Sequence, residues 1–171
     1  MKIILMMAMT VDGIIARDSQ HTADWTSPAD KKAFIAETKK HGVVIMGETT
    51  FTTIGRPLPG RLNFILSLHP EKFQEKIKPK TLEFFKGSPE EIVQHLSGRG
   101  FESAVLGGGA RTNAMFLKAG LVDELMITVE PKIFGAGLNF TESEALDLEL
   151  ELIESHRLDT NVVQLHYRVK R

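Results

Sequence analysis

The segment Trp25-Thr26-Ser27-Pro28-Ala29-Asp30, followed by Phe34, gathers an indole, an acid and a phenyl ring within ten residues. Ser27 suits a helix N-cap and Pro28 the first helical position, so Asp30 falls in the first turn of a helix that Gly42 would stop. On that helix Asp30, Ala33, Phe34 and Glu37 share one face, with Asp30 and Phe34 adjacent one turn apart. A carboxylate beside an aromatic ring at the mouth of a cleft suits a flat heterocycle with a hydrogen-bond-donor edge. The heterocycle stacks on the phenyl ring while the carboxylate takes paired donors. Asp30 has a plainer use as well: three residues after Ser27, it can serve as a capping-box acid, worth roughly 0.3–1 kcal/mol.

Two further stretches carry chemistry in their backbone. Met46-Gly47-Glu48-Thr49-Thr50 and Leu106-Gly107-Gly108-Gly109-Ala110 both read as a strand turning into a helix. Glycine there permits close backbone approach, and the free amides of a helix start can meet a phosphate. The second stretch is not the dinucleotide fingerprint G-x-G-x-x-G, because position 112 is Thr. A tight turn that packs a helix closely on a sheet would use the same glycines. Between residues 43 and 67 the chain spends three glycines, two prolines and two arginines on one connection, more than a plain connector needs.

Elements that could position these residues follow from periodicity. Residues 2–9 form a nearly continuous apolar run, the pattern of a strand covered on both faces. Residues 10–25 read as a polar loop with a turn at Asp12-Gly13. Strands are expected at 43–46, 62–66, 82–85, 104–106 and 124–129. Helices are expected from Ser27 to Gly42, over 48–54, from Ser88 to Gly98, and from the glycine run to Gly120. Leu148, Leu150 and Leu152 alternate with acids, and Asp159-Thr160-Asn161 then turns the chain into 162–169, an antiparallel closing hairpin. Strands alternating with helices predict an α/β fold with a mostly parallel central sheet and an antiparallel C-terminal hairpin. In such sheets ligands bind beyond the carboxyl ends of the strands, where the two glycine turns and Asp30 would meet.

Composition narrows the partners. With 171 residues the chain is long enough for one domain, 1–171, with a real core. A net charge of −1 gives no general attraction to nucleic acid or to an anionic membrane. There is no cysteine, so disulfides and thiolate metal sites are excluded. The six histidines lack metal-ligand spacing, and His156 and His166 fall in the final hairpin, so no metal is expected. The apolar N-terminal run is broken by Asp12 and Gly13 and reads as a buried strand rather than a signal peptide. A cytoplasmic protein acting on a small molecule, as a monomer or homodimer, is the expectation. Met6, Met7 and Met9 read as core or pocket wall, and the acidic run 142–151 as a solvated face.

Residues 44–67, VIMGETTFTTIGRPLPGRLNFILS, closely resemble the dihydrofolate reductase family, and the resemblance extends over most of the chain. Ala8, Val11-Asp12 and Ile15 look like that family's first strand and the loop after it. Trp25, Pro28, Asp30 and Phe34 fall in order on its substrate-facing helix. Thr50, the segment from Gly55 to Arg61, the Leu106 glycine turn and Thr128 follow at family spacing. The resemblance implies a three-layer α/β/α fold and NADPH-dependent reduction of 7,8-dihydrofolate.

It also implies roles. Asp30 would pair with the pterin 2-amino group and ring N3 and promote protonation at N5, with burial raising its pKa. Thr128 would hydrogen-bond Asp30, and Trp25 would hold an ordered water. Phe34 and Ile54 would line the substrate pocket, and Arg61 would grip the α-carboxylate of the glutamate tail in a bidentate pair. Ala8 and Ile15 would present backbone groups to the pterin and nicotinamide. Ala16, Gly47, Glu48, Thr49, Thr50, Ser67, Leu106, Gly107, Gly108, Gly109, Ala110, Arg111 and Thr112 would line the dinucleotide.

Two features depart from that pattern. Glu48 stands where many members of the family place an arginine against the cofactor 2′-phosphate. An acid there repels the phosphate and suits a ribose hydroxyl, which leaves NADH as the alternative to NADPH unless Arg56, Arg111 or His69 compensates. Leu121-Val122-Asp123-Glu124-Leu125, Glu130-Pro131 and Phe134-Gly135-Ala136-Gly137 instead resemble the riboflavin-biosynthesis reductase domain. That resemblance implies the alternative substrate, a ribosylaminouracil phosphate.

Overall fold

The computed structural model describes residues 1–142 and 145–171. Strand β1 (Lys2–Thr10) runs through the middle of an eight-stranded sheet, parallel to β6 (Ser103–Leu106) on one side and β7 (Glu124–Glu130) on the other. Beyond β6 lie β3 (Val43–Gly47), β4 (Leu62–Leu66) and β5 (Leu82–Phe85), all parallel; beyond β7 lie β10 (Val162–Val169) and the edge strand β9 (Leu150–Asp159). Strand β10 is antiparallel to both of its neighbours, as the hairpin at Asp159-Thr160-Asn161 requires.

Alternation along β3 sorts the helices into layers. Val43 and Ile45 face the cluster that buries Ile92 and Leu96 of α3 (Pro89–Gly98) and Phe116 and Leu117 of α4 (Ala110–Lys118). Val44 and Met46 face the other way, toward Phe34 of α1 (Pro28–His41) and Phe51 and Ile54 of α2 (Glu48–Ile54). The sheet is thus covered on both faces, which is why its central strands read as unbroken apolar runs. Burial of side chains such as Ile45 and Phe64, fully withdrawn from water, contributes about 1.5–3 kcal/mol each. Because β1, β3, β6 and β7 are parallel, their carboxyl ends collect on one side of the sheet, with Ala8 in register with Thr128 and Thr10 with Glu130.

One local expectation needs correction. Residues 10–25 are not all loop: β2 (Ile14–Ala16) pairs with β8 (Leu138–Asn139), and a 3₁₀ turn covers Ala23–Trp25. The pairing rests on long-range contacts that local patterning cannot show. Asp12 accepts the amides of Phe134 (3.2 Å) and Gly135 (2.7 Å), and at Gly137 a Cβ would lie 2.3 Å from the Ala16 carbonyl oxygen. A second 3₁₀ segment, Pro70–Lys76, has no sequence signal of apolar period. The alternation at Leu148, Leu150 and Leu152 has no buried side, since β9 is an edge strand and Leu152 is 54% exposed. Residues 143 and 144 of the acidic run lie outside the described residues.

Candidate active site

Helix α1 starts as its sequence dictates: Ser27 is extended at φ −65° and ψ 157°, its Oγ accepts the Asp30 amide at 3.1 Å, and Gly42 closes the helix in the left-handed region. The capping box, however, is not closed by Asp30. The Ser27 amide donates to Oε1 of Glu130, at the end of β7, at 2.8 Å. The Asp30 carboxylate is therefore free to turn toward Thr128 of β7 and toward Thr26, whose hydroxyls favour its charged form. Thr128 Oγ1 accepts Nε2 of Gln164 from β10 at 3.1 Å, which leaves the hydroxyl proton available to Asp30. Asp30 is only 8% exposed. Burial pushes its carboxyl above the ordinary range, the Thr128 and Thr26 hydrogen bonds pull the other way, and the neighbouring Glu130 charge adds to the rise.

Phe34 follows one turn on, packed in the same cluster as Ile54 and Leu58. Its ring lies over the β6–α4 turn: a Cβ on Gly107 would sit 3.2 Å from Phe34 Cζ. One turn further, Thr38 donates to the Phe34 carbonyl at 2.5 Å and accepts Nη1 of Arg61. Arg61 also donates from Nε (3.1 Å) and Nη2 (2.8 Å) to the Pro59 carbonyl and from Nη1 to the Ile35 carbonyl at 3.4 Å. Arg61 is 4% exposed, and burial works against its charge. Among the described residues no carboxylate pairs with it. Acid, ring and cation thus follow one another along a single face of α1, over about 12 Å from Asp30 to Thr38 at helical rise.

The two glycine turns touch. Gly47 donates to the Gly108 carbonyl and Gly107 to the Ile45 carbonyl, each at 2.8 Å. A Cβ on Gly47 would meet Thr112 Oγ1 at 2.8 Å, and one on Gly109 would meet Thr50 Oγ1 at 3.1 Å. Gly108 has φ +91° with Met7 Sδ 2.8 Å from a built Cβ, so no other residue fits there. Close packing accounts for these glycines, and the same packing leaves Gly109 as an N-cap with no side-chain cap on the first amides of α4. Asn113 Oδ1, behind Gly108, is buried without a hydrogen-bond partner. Leu106, Ala110 and Thr112 are buried, whereas Thr49 and Arg111 point outward. At the outer end Glu48 Oε2 accepts the Ser67 hydroxyl at 2.5 Å.

Trp25 packs in an aromatic cluster. Its ring meets Phe134 edge-on at 5.1 Å and stacks toward His21 at 6.5 Å, while the Arg17 guanidinium covers Phe134 at 4.1 Å. Ile15, on β2, is buried close by in sequence, and Ala16 pairs with Leu138. Two residues of the site had no role legible in the sequence: Glu130 stood out only in the Glu130-Pro131 pair that resembles the riboflavin-biosynthesis reductase domain, and Gln164 looks like an ordinary polar strand position. What marks their part in the site is a polar residue at a strand position whose register buries it.

The dihydrofolate reductase profile matches residues 2–168. The chain belongs to the dihydrofolate reductase family. It is 30% identical to the dihydrofolate reductase of Haemophilus influenzae over 155 residues, 91% of this chain and 88% of that one. A protein of Shewanella sp. PV-4, described as a riboflavin biosynthesis protein, has a structure that covers 100% of both chains, with a TM-score of 0.80 and 26% identity. The fold is shared by the dihydrofolate reductase of Enterococcus faecalis, solved with NADP(H), at a TM-score of 0.73 and 21% identity over 99% of this chain and 97% of that one. Members of the dihydrofolate reductase family are NADPH-dependent oxidoreductases, and the site here fits a dinucleotide along the two glycine turns and the uncapped start of α4. Near Glu48, His69 is engaged by Glu71 at 3.1 Å. Among the described residues no helix is long and apolar enough to cross a membrane, and no cluster of ligating side chains could hold a metal ion.

Proposed function

We propose that the protein, as one domain over residues 1–171, reduces 7,8-dihydrofolate to tetrahydrofolate. The observation that carries this reading is the order Asp30, Phe34, Arg61 along α1. A substrate with a donor-edged heterocycle, a flat linker and an anionic tail has the same order of chemistry.

Asp30 takes the pterin 2-amino group and N3, and its raised pKa keeps a proton within reach of the change at N5. Thr128, held by Gln164, orients the carboxylate, and Trp25 holds an ordered water at the edge of the pocket. Phe34 and Ile54 wall the rings, with the backbone of Ala8 and Ile15 at the far side. Arg61 receives the tail carboxylate, exchanging its carbonyl partners for a charge-assisted pair. NADPH, when bound, supplies the hydride for C6. Ala16, Gly47, Glu48, Thr49, Thr50, Ser67, Leu106, Gly107, Gly108, Gly109, Ala110, Arg111 and Thr112 line its place, and positioning is the protein's main contribution. Glu48 keeps NADH as the second cofactor.

A second reading is favoured by the neutral oxygens around Arg61 and by the likeness to the Shewanella protein: reduction of a ribosylaminouracil phosphate. Steady-state assays offering each acceptor with NADPH separate the two. Turnover of dihydrofolate supports the first reading, and turnover of the aminouracil alone replaces it with the second.

A further inference from the structure

Glu130 is the most buried acid among the described residues, at 2% exposure. A carboxylate withdrawn from water is costly unless its lone pairs are used, and cap formation alone does not call for one, because Asp30 stands at the position that ordinarily closes the box. Here the roles are divided. Glu130 Oε1 holds the Ser27 amide at 2.8 Å, and Ser27 Oγ holds the Asp30 amide at 3.1 Å, so one N-cap ties the two acids together. We propose that Glu130 is a positioning residue for Asp30: by taking the Ser27 amide it releases the Asp30 carboxylate to the pocket, and the acid end of the site works as a two-carboxylate unit rather than a lone aspartate.

The two acids share one N-cap, and the Glu130 charge adds to the rise of the Asp30 carboxyl that burial begins. The other charged neighbour is Lys31 on α1, which works the opposite way and whose Nζ donates to the Asp24 carbonyl at 3.1 Å. From β7 and β10 the remaining groups that face Asp30, Thr128 and Gln164 behind it, are neutral. The inference rests on Asp30 as the proton-managing group of the reductase proposed above. Its test does not require turnover.

The test is a carbon-detected NMR titration of the Asp30 carboxyl in the wild type, Glu130→Gln and Glu130→Asp, with Asp30→Asn to assign the signal. Glu130→Gln keeps an oxygen for the Ser27 amide and nearly the same volume, but removes the charge. The Asp30 midpoint is expected to move to lower pH in Glu130→Gln, where the charge is lost, and also in Glu130→Asp, where the Ser27 amide loses its acceptor and the Asp30 carboxylate turns back to close the cap. An unmoved midpoint in Glu130→Gln, or in Glu130→Asp should Glu130→Gln not fold, overturns the proposal. Where dihydrofolate turns over, Glu130→Gln lowers kcat several-fold at pH above its new midpoint and leaves the cofactor KM unchanged. Absence of turnover with a shifted midpoint sinks the proposed reaction and leaves the carboxylate pair standing.

Discussion

Ser67 donates its hydroxyl to Glu48 at 2.5 Å and accepts the His69 amide at 3.0 Å, so the acid is oriented rather than free. On the reading proposed above, a negative charge held there discriminates against a 2′-phosphate and offers an acceptor to a ribose hydroxyl. Glu48→Arg is expected to raise the ratio of kcat/KM for NADPH over NADH by tenfold or more, about 1.4 kcal/mol of differential binding. The check is the cofactor ratio measured with both nucleotides; an unchanged ratio places the 2′ position away from Glu48.

Asp30→Asn is expected to reduce hydride transfer by 10²-fold or more, the usual scale for a lost proton-handling group, with cofactor binding nearly unchanged. The same variant should be more stable than the wild type at neutral pH. Folding raises the Asp30 pKa, so its contribution to stability is full below the unfolded value, roughly 4, and is lost as pH rises through the folded value. Melting temperatures of the two proteins should therefore converge as the pH falls toward 4. A wild type that remains the more stable at pH 7 contradicts the burial argument.

Arg61→Lys removes the fork that bridges Thr38 and Pro59 while keeping the charge. The KM for dihydrofolate should rise about tenfold or more, a bidentate pair reduced to a single contact. An acceptor without the glutamate tail should be indifferent to the change. Equal effects on both acceptors show a structural role only.

Gly47 has ordinary extended dihedrals, φ −73° and ψ 156°, so its requirement is space alone. Gly47→Ala drives a methyl group into the Thr112 hydroxyl and is expected to cost about 1–3 kcal/mol. Thermal denaturation of Gly47→Ala with and without Thr112→Ala is the check: the double variant should recover most of the loss. Failure to recover assigns the strain to the backbone.

Much of this arrangement was legible because local signals coincide with global needs. The Ser27-Pro28 start and Gly42 stop of α1 and the apolar runs of β1, β3 and β4 carry their own geometry. Asp30 and Phe34 were legible together because four residues on a helix make one face. Glu130 and Gln164 were not, since their burial depends on β7 and β10 lying side by side, 36 residues apart at Thr128 and Gln164. The β2–β8 pairing was hidden for the same reason: it depends on Asp12 reaching amides more than 120 residues away. Arg61 was legible only through the family resemblance, and the carbonyl oxygens that hold it were not.

The most direct test of the account is a single-turnover measurement of hydride transfer from NADPH to dihydrofolate across pH, in the wild type and in Asp30→Asn. The account predicts robust transfer by the wild type that falls as pH rises through the Asp30 midpoint, and a rate at least 10²-fold lower in the variant at neutral pH. Transfer that is equal in both proteins, or absent in the wild type with NADPH bound, contradicts it.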